Sequence, residues 1–449
     1  MSLRVKARLR GIWEILRSSL WFIPALTVVA AVLLAVGLIE MGTLDRGNMA
    51  ERWPRLFGAS AEGSRGLLAA IASSMITVVG VTFSITVVAL ALASSQYTSR
   101  ILRNFMRDRA NQSVLGVFVG VFAYCIVVLR TIRGPDAGNY VPALAVLVAM
   151  LLAFVAIGFL IFFIHHIASS IQATSIIRAA MLETNGAIDR LFPQEVGTAA
   201  VKSEREEMPS VGTWATIAAR RTGYLQGIDG DDLFRVACDR GVVVRMERSI
   251  GEFVIEGSPL AAVAGRDADE GLVLEINAAY TVGTDRTVHQ DSGYGIRQIV
   301  DIALKALSPG INDTTTAVNA IDALAAILAR LAGREIESPY RSDKGAVRLI
   351  TRGPTFVGLL AEALDQIRQN ADRNVAILVR LVEVIEILSH RTDDPRRLQA
   401  LRRQRELILA TAERSVPAAH DRARIELAAS TAPIDWAAVV PTLMPQDPR

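Results

Sequence analysis

The stretch "GLLAAIASSMITVVGVTFSITVVALALA", residues 66–93, contains no charged side chain. A helix needs roughly 20 apolar residues to cross the hydrocarbon core of a bilayer, so this stretch is long enough to span one. Three further runs, at 20–39, 114–129 and 141–164, have the same character. The sequence therefore predicts that residues 1–170 form a transmembrane domain of four α-helices.

The overall composition also favours a membrane protein. Hydrophobic residues make up 51% of the chain and charged residues 21%, a mixture too apolar for a soluble enzyme of 449 residues. The net charge of +3 gives no reason to expect a nucleic-acid partner. Cys125 and Cys238 are the only cysteines, and the histidines have no ligand spacing, so neither a disulfide framework nor a metal site is predicted.

The placement of basic residues predicts the orientation in the membrane. About nine Lys and Arg residues lie before the first run or between the second and third, against about six on the other side. The run at 20–39 is too long for a signal peptide and is expected to be an uncleaved anchor. We therefore expect a multi-pass protein of the bacterial inner membrane, with the amino and carboxyl termini in the cytoplasm.

The second run carries a stripe of small and polar residues on one helical face. Its members fall within about 60° of one another at 100° per residue, and they are Ser73, Thr77, Gly80, Ser84 and Ser95. The stripe could line a water-filled path built from several subunits, or it could allow close packing between helices. No span contains a charged residue in its core, which argues against a proton-coupled pump.

The chain after the membrane domain divides into three predicted parts. Residues 171–210 read as a helical connector and linker, 211–285 as a small β-rich domain, and 286–449 as a cytosolic helical domain. The segment "GEFVIEGSPL", residues 251–260, resembles the hairpin of lipoyl- and biotinyl-type barrel-sandwich domains. No lysine occurs between 203 and 304, so no swinging-arm cofactor is expected, and no other cofactor is predicted.

The helical part contains an abrupt corner, "ALSPGINDTTTA", residues 306–317. We expect Asp291 to cap a helix that Pro309 stops and a left-handed Gly310 closes, with Asp313 or Asn312 capping the next helix at 314–332. A tight turn between two capped helices explains most of these residues without any ligand or activity. Its polar groups could instead form a pocket for an anion, a cation or another ligand, with the candidate residues Asp291, Ser308, Asn312, Asp313 and Thr315.

Three segments together resemble a known family. They are the second run extended to "SSQYTSRILRNFMRDR", the "GEFVIEGSPL" segment, and "YGIRQIVDIALKALSPGINDTTTA". They are similar to the DUF2254 group of predicted bacterial inner-membrane proteins of unknown function, over nearly the whole chain. The resemblance implies an integral membrane protein and carries no activity or site to particular residues.

Two functional hypotheses follow. The first is a homo-oligomeric channel or permeation protein, in which the second span lines a path and the cytosolic part assembles or gates it. The second is a non-conducting sensor or scaffold whose cytosolic part binds an ion, a small ligand or a protein. Nucleotide-binding, hydrolase, zinc and redox motifs are absent from the sequence, so no catalytic residue is assigned and an enzyme is not expected. Membrane lipid is the one partner that both hypotheses share.

Overall fold

The computed structural model describes residues 21–44, 60–96, 108–133, 140–191, 214–265, 267–288, 290–334, 339–343 and 345–430. The chain divides into two compact units, Met1–Ser175 and Ile176–Arg449. The first unit is built from long apolar helices, and the second is a mixture of helices and two small sheets.

Four apolar helices form the described part of the first unit. They are α1 (Phe22–Leu44), α2 (Ala61–Gln96), α3 (Arg109–Thr131) and α4 (Ala143–Ser170). The central helix is α3, which packs against the other three. Half of its apolar span is buried, against 17% for α2 and α4. The Tyr124 hydroxyl of α3 donates to the Ala145 carbonyl oxygen of α4 over 2.8 Å.

Close packing of α1 on α3 depends on two glycines. A Cβ atom at Gly116 would lie 2.5 Å from Thr27 Oγ1 and 3.3 Å from Pro24 Cα, and one at Gly120 would lie 3.4 Å from the Thr27 carbonyl oxygen. The Thr27 hydroxyl itself donates to the carbonyl oxygens of Ile23 and Pro24. Small residues spaced four apart thus let two apolar helices approach closely.

The second unit begins within α5 and contains eight strands and nine helices in its described part. In chain order they are α5 (Ala173–Leu191), β1 (Ala215–Ala218), β2 (Gly223–Ile228), α6 (Gly230–Arg240), β3 (Val243–Met246), β4 (Phe253–Val254), β5 (Pro259–Ala264), α7 (Glu270–Ala278), β6 (Tyr280–Gly283), α8 (Ser292–Ala306), α9 (Thr314–Ala332), β7 (Tyr340–Asp343), β8 (Ala346–Ile350), α10 (Phe356–Gln369), α11 (Val375–Ser389), α12 (Pro395–Ser415) and α13 (Ala419–Ser430).

Two sheets organise the strands. The larger has the order β1-β5-β3-β8-β7 and the smaller the order β4-β2-β6. All pairs are antiparallel except β3 and β8. The sheets and the helices α6 and α7 share a core that includes Leu225, Leu233, Val244, Leu272 and Leu349. The larger sheet therefore joins strands of the predicted β-rich segment with β7 and β8, which lie in the segment expected to be helical.

The barrel-sandwich expectation is not confirmed. The predicted hairpin does not form, because β4 pairs with β2 in one sheet and β5 pairs with β1 and β3 in the other. Within the part predicted to be β-rich, residues Glu270–Ala278 form the helix α7. A short apolar run is ambiguous between helix and strand, and the Asp269 carboxylate, which accepts from the Leu272 amide at 2.7 Å, starts the helix.

Five helices in the described part of the chain are long and apolar enough to cross a membrane, rather than the four expected. The fifth is α9, which packs against α8 and α11 within the second unit. Arg330, near its end, pairs with Asp189 of α5 over 2.7 Å, and Asp322 pairs with Arg380 of α11 over 2.5 Å. The exposed face of α9 thus carries charged residues in ion pairs.

Candidate functional site

The corner between α8 and α9 is held by local hydrogen bonds. Asp313 caps α9 as expected, accepting from the Thr316 amide at 3.0 Å and from the Thr316 hydroxyl at 2.6 Å. These bonds hold the pKa of the Asp313 carboxyl below its ordinary value. The expected left-handed Gly310 is wrong: Asn312 adopts that conformation, with φ of 49°. Asparagine tolerates it because its short polar side chain relieves the steric cost.

The five predicted pocket residues do not form one site. Asp291 caps the start of α8, and the corner follows its end, so a helix of 15 residues, about 22 Å long, separates them. The Ser308 hydroxyl donates to the Lys305 carbonyl oxygen over 2.7 Å. Asn312, Asp313 and Thr315 are exposed. Asp291, in contrast, is only 6% exposed and lines a cleft.

That cleft, of about 250 Å³, lies where the starts of α8 and α10 meet the β3–β4 connection. The residues that line it are Ser249, Ile250, Arg286, Gln290, Asp291, Ser292, Gly293, Pro354, Thr355, Gly358, Leu359 and Glu362. Its wall thus combines three charged groups with hydroxyls and apolar side chains.

An ion pair between the half-buried Arg286 and the buried Asp291 forms one side of the cleft. Arg286 Nε donates to Asp291 Oδ2 over 2.9 Å, and Arg286 Nη2 lies 2.8 Å from the same oxygen and donates to Oδ1 over 3.1 Å. Asp291 also accepts from the Tyr294 amide at 2.8 Å, and the guanidinium carbon lies 5.0 Å from the centre of the Tyr294 ring. Burial raises the pKa of Asp291, and the Arg286 charge opposes this rise.

The turn at Gly251 lies directly against this ion pair. Its φ is 86°, a left-handed conformation that favours glycine, and an added Cβ would overlap Asp291 Oδ2 and lie 2.8 Å from Arg286 Nη2. A side chain at this position would therefore displace the pair as well as strain the turn.

Glu362 of α10 forms the opposite wall. Among the residues that the structure describes, none makes a hydrogen bond or ion pair with its carboxylate. A Cβ at Gly293 would lie 3.1 Å from Glu362 Oε2, so the carboxylate sits against the first turn of α8. Burial raises the pKa of Glu362, opposed by Arg286 and reinforced by the Asp291 charge.

Ser292 supplies a second polar group without a partner. The side chain is fully buried beside the cleft, and its hydroxyl has no hydrogen-bond partner within the described ranges. A buried hydroxyl left unbonded costs free energy, about 1–3 kcal/mol, unless a ligand or water completes it. The cleft therefore offers unused acceptors and a hydroxyl. Within the described ranges, His, Cys, Asp and Glu nowhere form a group of three able to hold a metal ion.

The stripe on α2 lies on a different surface. Ser73, Thr77, Gly80 and Ser84 are exposed on the first unit, while Leu68, Met75 and Ala89 face its core. The Thr77 hydroxyl donates to the Ser73 carbonyl oxygen over 2.9 Å. The side chain of Ser95 lies outside the described part of the structure. The stripe is therefore available to a second molecule or to lipid, and does not pack on the chain's own described helices.

Comparison with known sequences bears out the resemblance. The family model for DUF2254, described as a predicted membrane protein, matches residues 17–386. The chain belongs to the DUF2254 family. An uncharacterized Mycobacterium bovis protein, Mb1321c, is 32% identical over 441 residues, which cover 95% of this chain and 82% of that protein. The uncharacterized protein Rv1290c of Mycobacterium tuberculosis matches with the same identity and coverage. No solved structure matches the chain.

Sequence reasoning found one residue of the cleft in this DUF2254 protein and missed the others. Asp291 was identifiable as a helix cap, but Arg286 and Glu362 lie 5 and 71 positions away from it (291 − 286 and 362 − 291). The available signal was an acidic residue at the edge of the apolar stripe of α10, formed by Phe356, Leu359 and others. An acidic residue at such a position is more often exposed to solvent. Glu362 could therefore be assigned to the cleft only once the packing of α10 on α8 was known.

Proposed function

We propose that this DUF2254 protein is a membrane-anchored sensor whose second unit binds a small polar ligand. In this proposal α1 to α4 cross the inner membrane, and both termini and the second unit are cytoplasmic. The proposal assigns no catalytic residue. The observation that carries it is the cleft, where a partly buried ion pair, an unpaired carboxylate and an unbonded buried hydroxyl converge.

The assignment of four spans rests on the exposed face of α9. Asp322 and Arg330 lie on that face, and their partners Arg380 and Asp189 come from helices of the same unit. Charged groups in a lipid-facing helix are costly, whereas paired charges at a water-facing surface are ordinary. Helix α9 thus fits a core helix of a soluble domain. The excess of basic residues around the first two cytoplasmic segments supports the orientation.

Retention of metabolites by the purified full-length protein tests the proposal. Gly358 is exposed at the rim of the cleft, so Gly358→Leu adds a side chain there, with its Cβ 3.2 Å from the Thr355 hydroxyl that caps α10. The matched control is Gly353→Leu, because Gly353 is exposed, has open space around it and does not line the cleft. After dialysis against a bacterial metabolite extract, the wild type and the control should retain a small molecule that Gly358→Leu does not. Equal retention by all three, or none, contradicts the proposal.

The exposed stripe on α2 favours a second candidate, an oligomeric channel. Four small or hydroxyl-bearing residues face outward on a largely apolar helix, where copies of α2 could surround a path. Reconstitution into liposomes tests this candidate. Ion or solute flux should be reduced by Ser84→Leu and unchanged by Ile85→Leu, which alters an exposed residue off the stripe. Absence of flux from the wild type contradicts it.

A further inference from the structure

We infer that the ligand of the cleft carries a cationic donor group, an ammonium or a guanidinium. This inference rests on the proposed function, since it names the class of molecule that the same cleft would hold. The lining groups, their charges and the polar atoms without partners carry it.

The charges around the cleft leave one negative charge uncompensated. Arg286 and Asp291 neutralise each other in their two-point contact. The next pair, Arg297 and Asp301 on α8, is joined by Nε to Oδ1 over 2.9 Å and also cancels. Glu362 remains, without an ion pair to any residue in the described ranges. A half-buried carboxylate without a partner is unfavourable, and a cation bound beside it lowers that cost.

The other polar atoms also suit a ligand that donates hydrogen bonds. The Ser292 hydroxyl can accept an N–H group, as can the oxygens of Glu362, and together they give acceptors from two helices. Ile250, Pro354 and Leu359 supply apolar surface for a short carbon chain. The volume of about 250 Å³ lies below the roughly 300–1,000 Å³ of pockets for drug-sized ligands, so the ligand is small.

An anion is the natural competitor, because two helices begin at the cleft and helix starts favour negative charge. At both helix starts, however, a backbone amide already donates to a side chain of the protein. Asp291 caps α8, and the Thr355 hydroxyl accepts from the Gly358 amide of α10 at 3.1 Å. The Glu362 carboxylate lies against Gly293 in the first turn of α8. An incoming anion would meet two carboxylates there, and an incoming cation would meet its counter-charge.

Isothermal titration with three probes of matched shape tests the inference. The probes are n-butylammonium, butyramide and butyrate, added to the full-length protein in detergent near neutral pH. We expect n-butylammonium to bind, with binding weakened at least about tenfold by Glu362→Gln and unchanged by Glu413→Gln, an exposed carboxylate on α12. Ser292→Ala should weaken it less. Thermal unfolding of each variant establishes that it is folded.

The outcomes separate the ligand class from the proposed function. Preferential binding of butyrate or butyramide, or ammonium binding that survives Glu362→Gln, overturns the cationic ligand. If metabolites are retained through the cleft but n-butylammonium does not bind, the ligand class is wrong and the sensor proposal stands. If neither metabolite retention nor probe binding occurs, both fail together.

Discussion

The substitution Gly116→Ala tests whether close contact between α1 and α3 holds the first unit together. The new Cβ would lie 2.5 Å from Thr27 Oγ1, which is 0.9 Å short of the 3.4 Å of an ordinary contact (3.4 − 2.5), and 3.3 Å from Pro24 Cα. Either Thr27 abandons its hydrogen bonds to Ile23 and Pro24, or α1 moves away from α3. Overpacking of this kind costs about 1–3 kcal/mol.

A control and a rescue accompany this substitution. Gly158→Ala on α4 is the control, because nothing lies within 4 Å of its added Cβ. Alanine is favoured over glycine in a helix by up to about 1 kcal/mol, so the control should be neutral or stabilising. Thr27→Ala removes the two nearest side-chain atoms and should recover much of the loss in the Gly116→Ala background. The double-mutant cycle should show a coupling free energy of about 1 kcal/mol or more.

The assay is thermal unfolding of the purified protein in detergent, with size-exclusion chromatography to follow aggregation. Gly116→Ala should unfold several degrees below both wild type and Gly158→Ala, and Thr27→Ala should close part of that gap. Equal unfolding temperatures for Gly116→Ala and Gly158→Ala would refute the packing argument. So would a double variant that is no more stable than Gly116→Ala.

Three smaller effects should appear in thermal unfolding. Burial raises the pKa of folded Glu362 above its unfolded value, so its stabilising contribution is full below the unfolded pKa and is lost as pH rises through the folded pKa. Glu362→Gln should therefore be more stable than wild type at about pH 8. A stability difference that does not shrink toward about pH 4 would contradict this. Asp313→Ala removes a helix cap and should cost about 1 kcal/mol, and Asp313→Asn much less; equal losses would refute the cap. Hydrogen bonds from Arg330 lower the pKa of Asp189, so its contribution, at most about 1 kcal/mol, is present above the unfolded pKa and lost as pH falls through the folded one. Asp189→Asn should remove that loss, and an unchanged acid dependence would contradict it.

Helix boundaries that depend on local chemistry could be predicted from the sequence. Asp291 and Asp313 were expected to cap helices, and α8 and α9 begin directly after them. Gly241 closes α6 in the left-handed conformation, with φ of 64°. Each of these features is decided within a few residues, by a side chain that accepts from a nearby amide or by a residue that tolerates a left-handed backbone.

Features that depend on distant parts of the chain could not be predicted in the same way. The parallel pairing of β3 with β8 joins residues about 100 positions apart, and no local pattern at 340–350 indicated a sheet. The cleft has the same cause, since Glu362 and Asp291 meet only because α10 packs on α8. The location of helix α9 could not be predicted from its hydropathy, which suits either a membrane or a protein core. Only the ion pairs of Asp322 and Arg330 with neighbouring helices favour the core.

Sidedness of two engineered cysteines tests most directly whether the second unit lies in the cytoplasm behind a four-helix anchor. In a Cys125→Ala, Cys238→Ala background, Ser60→Cys lies just before α2 and Ala419→Cys lies at the start of α13, and both positions are exposed. A maleimide that does not cross membranes should label Ser60→Cys in cells whose inner membrane is intact. It should label Ala419→Cys only after that membrane is permeabilised. Labelling of Ala419→Cys in intact cells would contradict the proposed topology and the cytoplasmic sensor built on it.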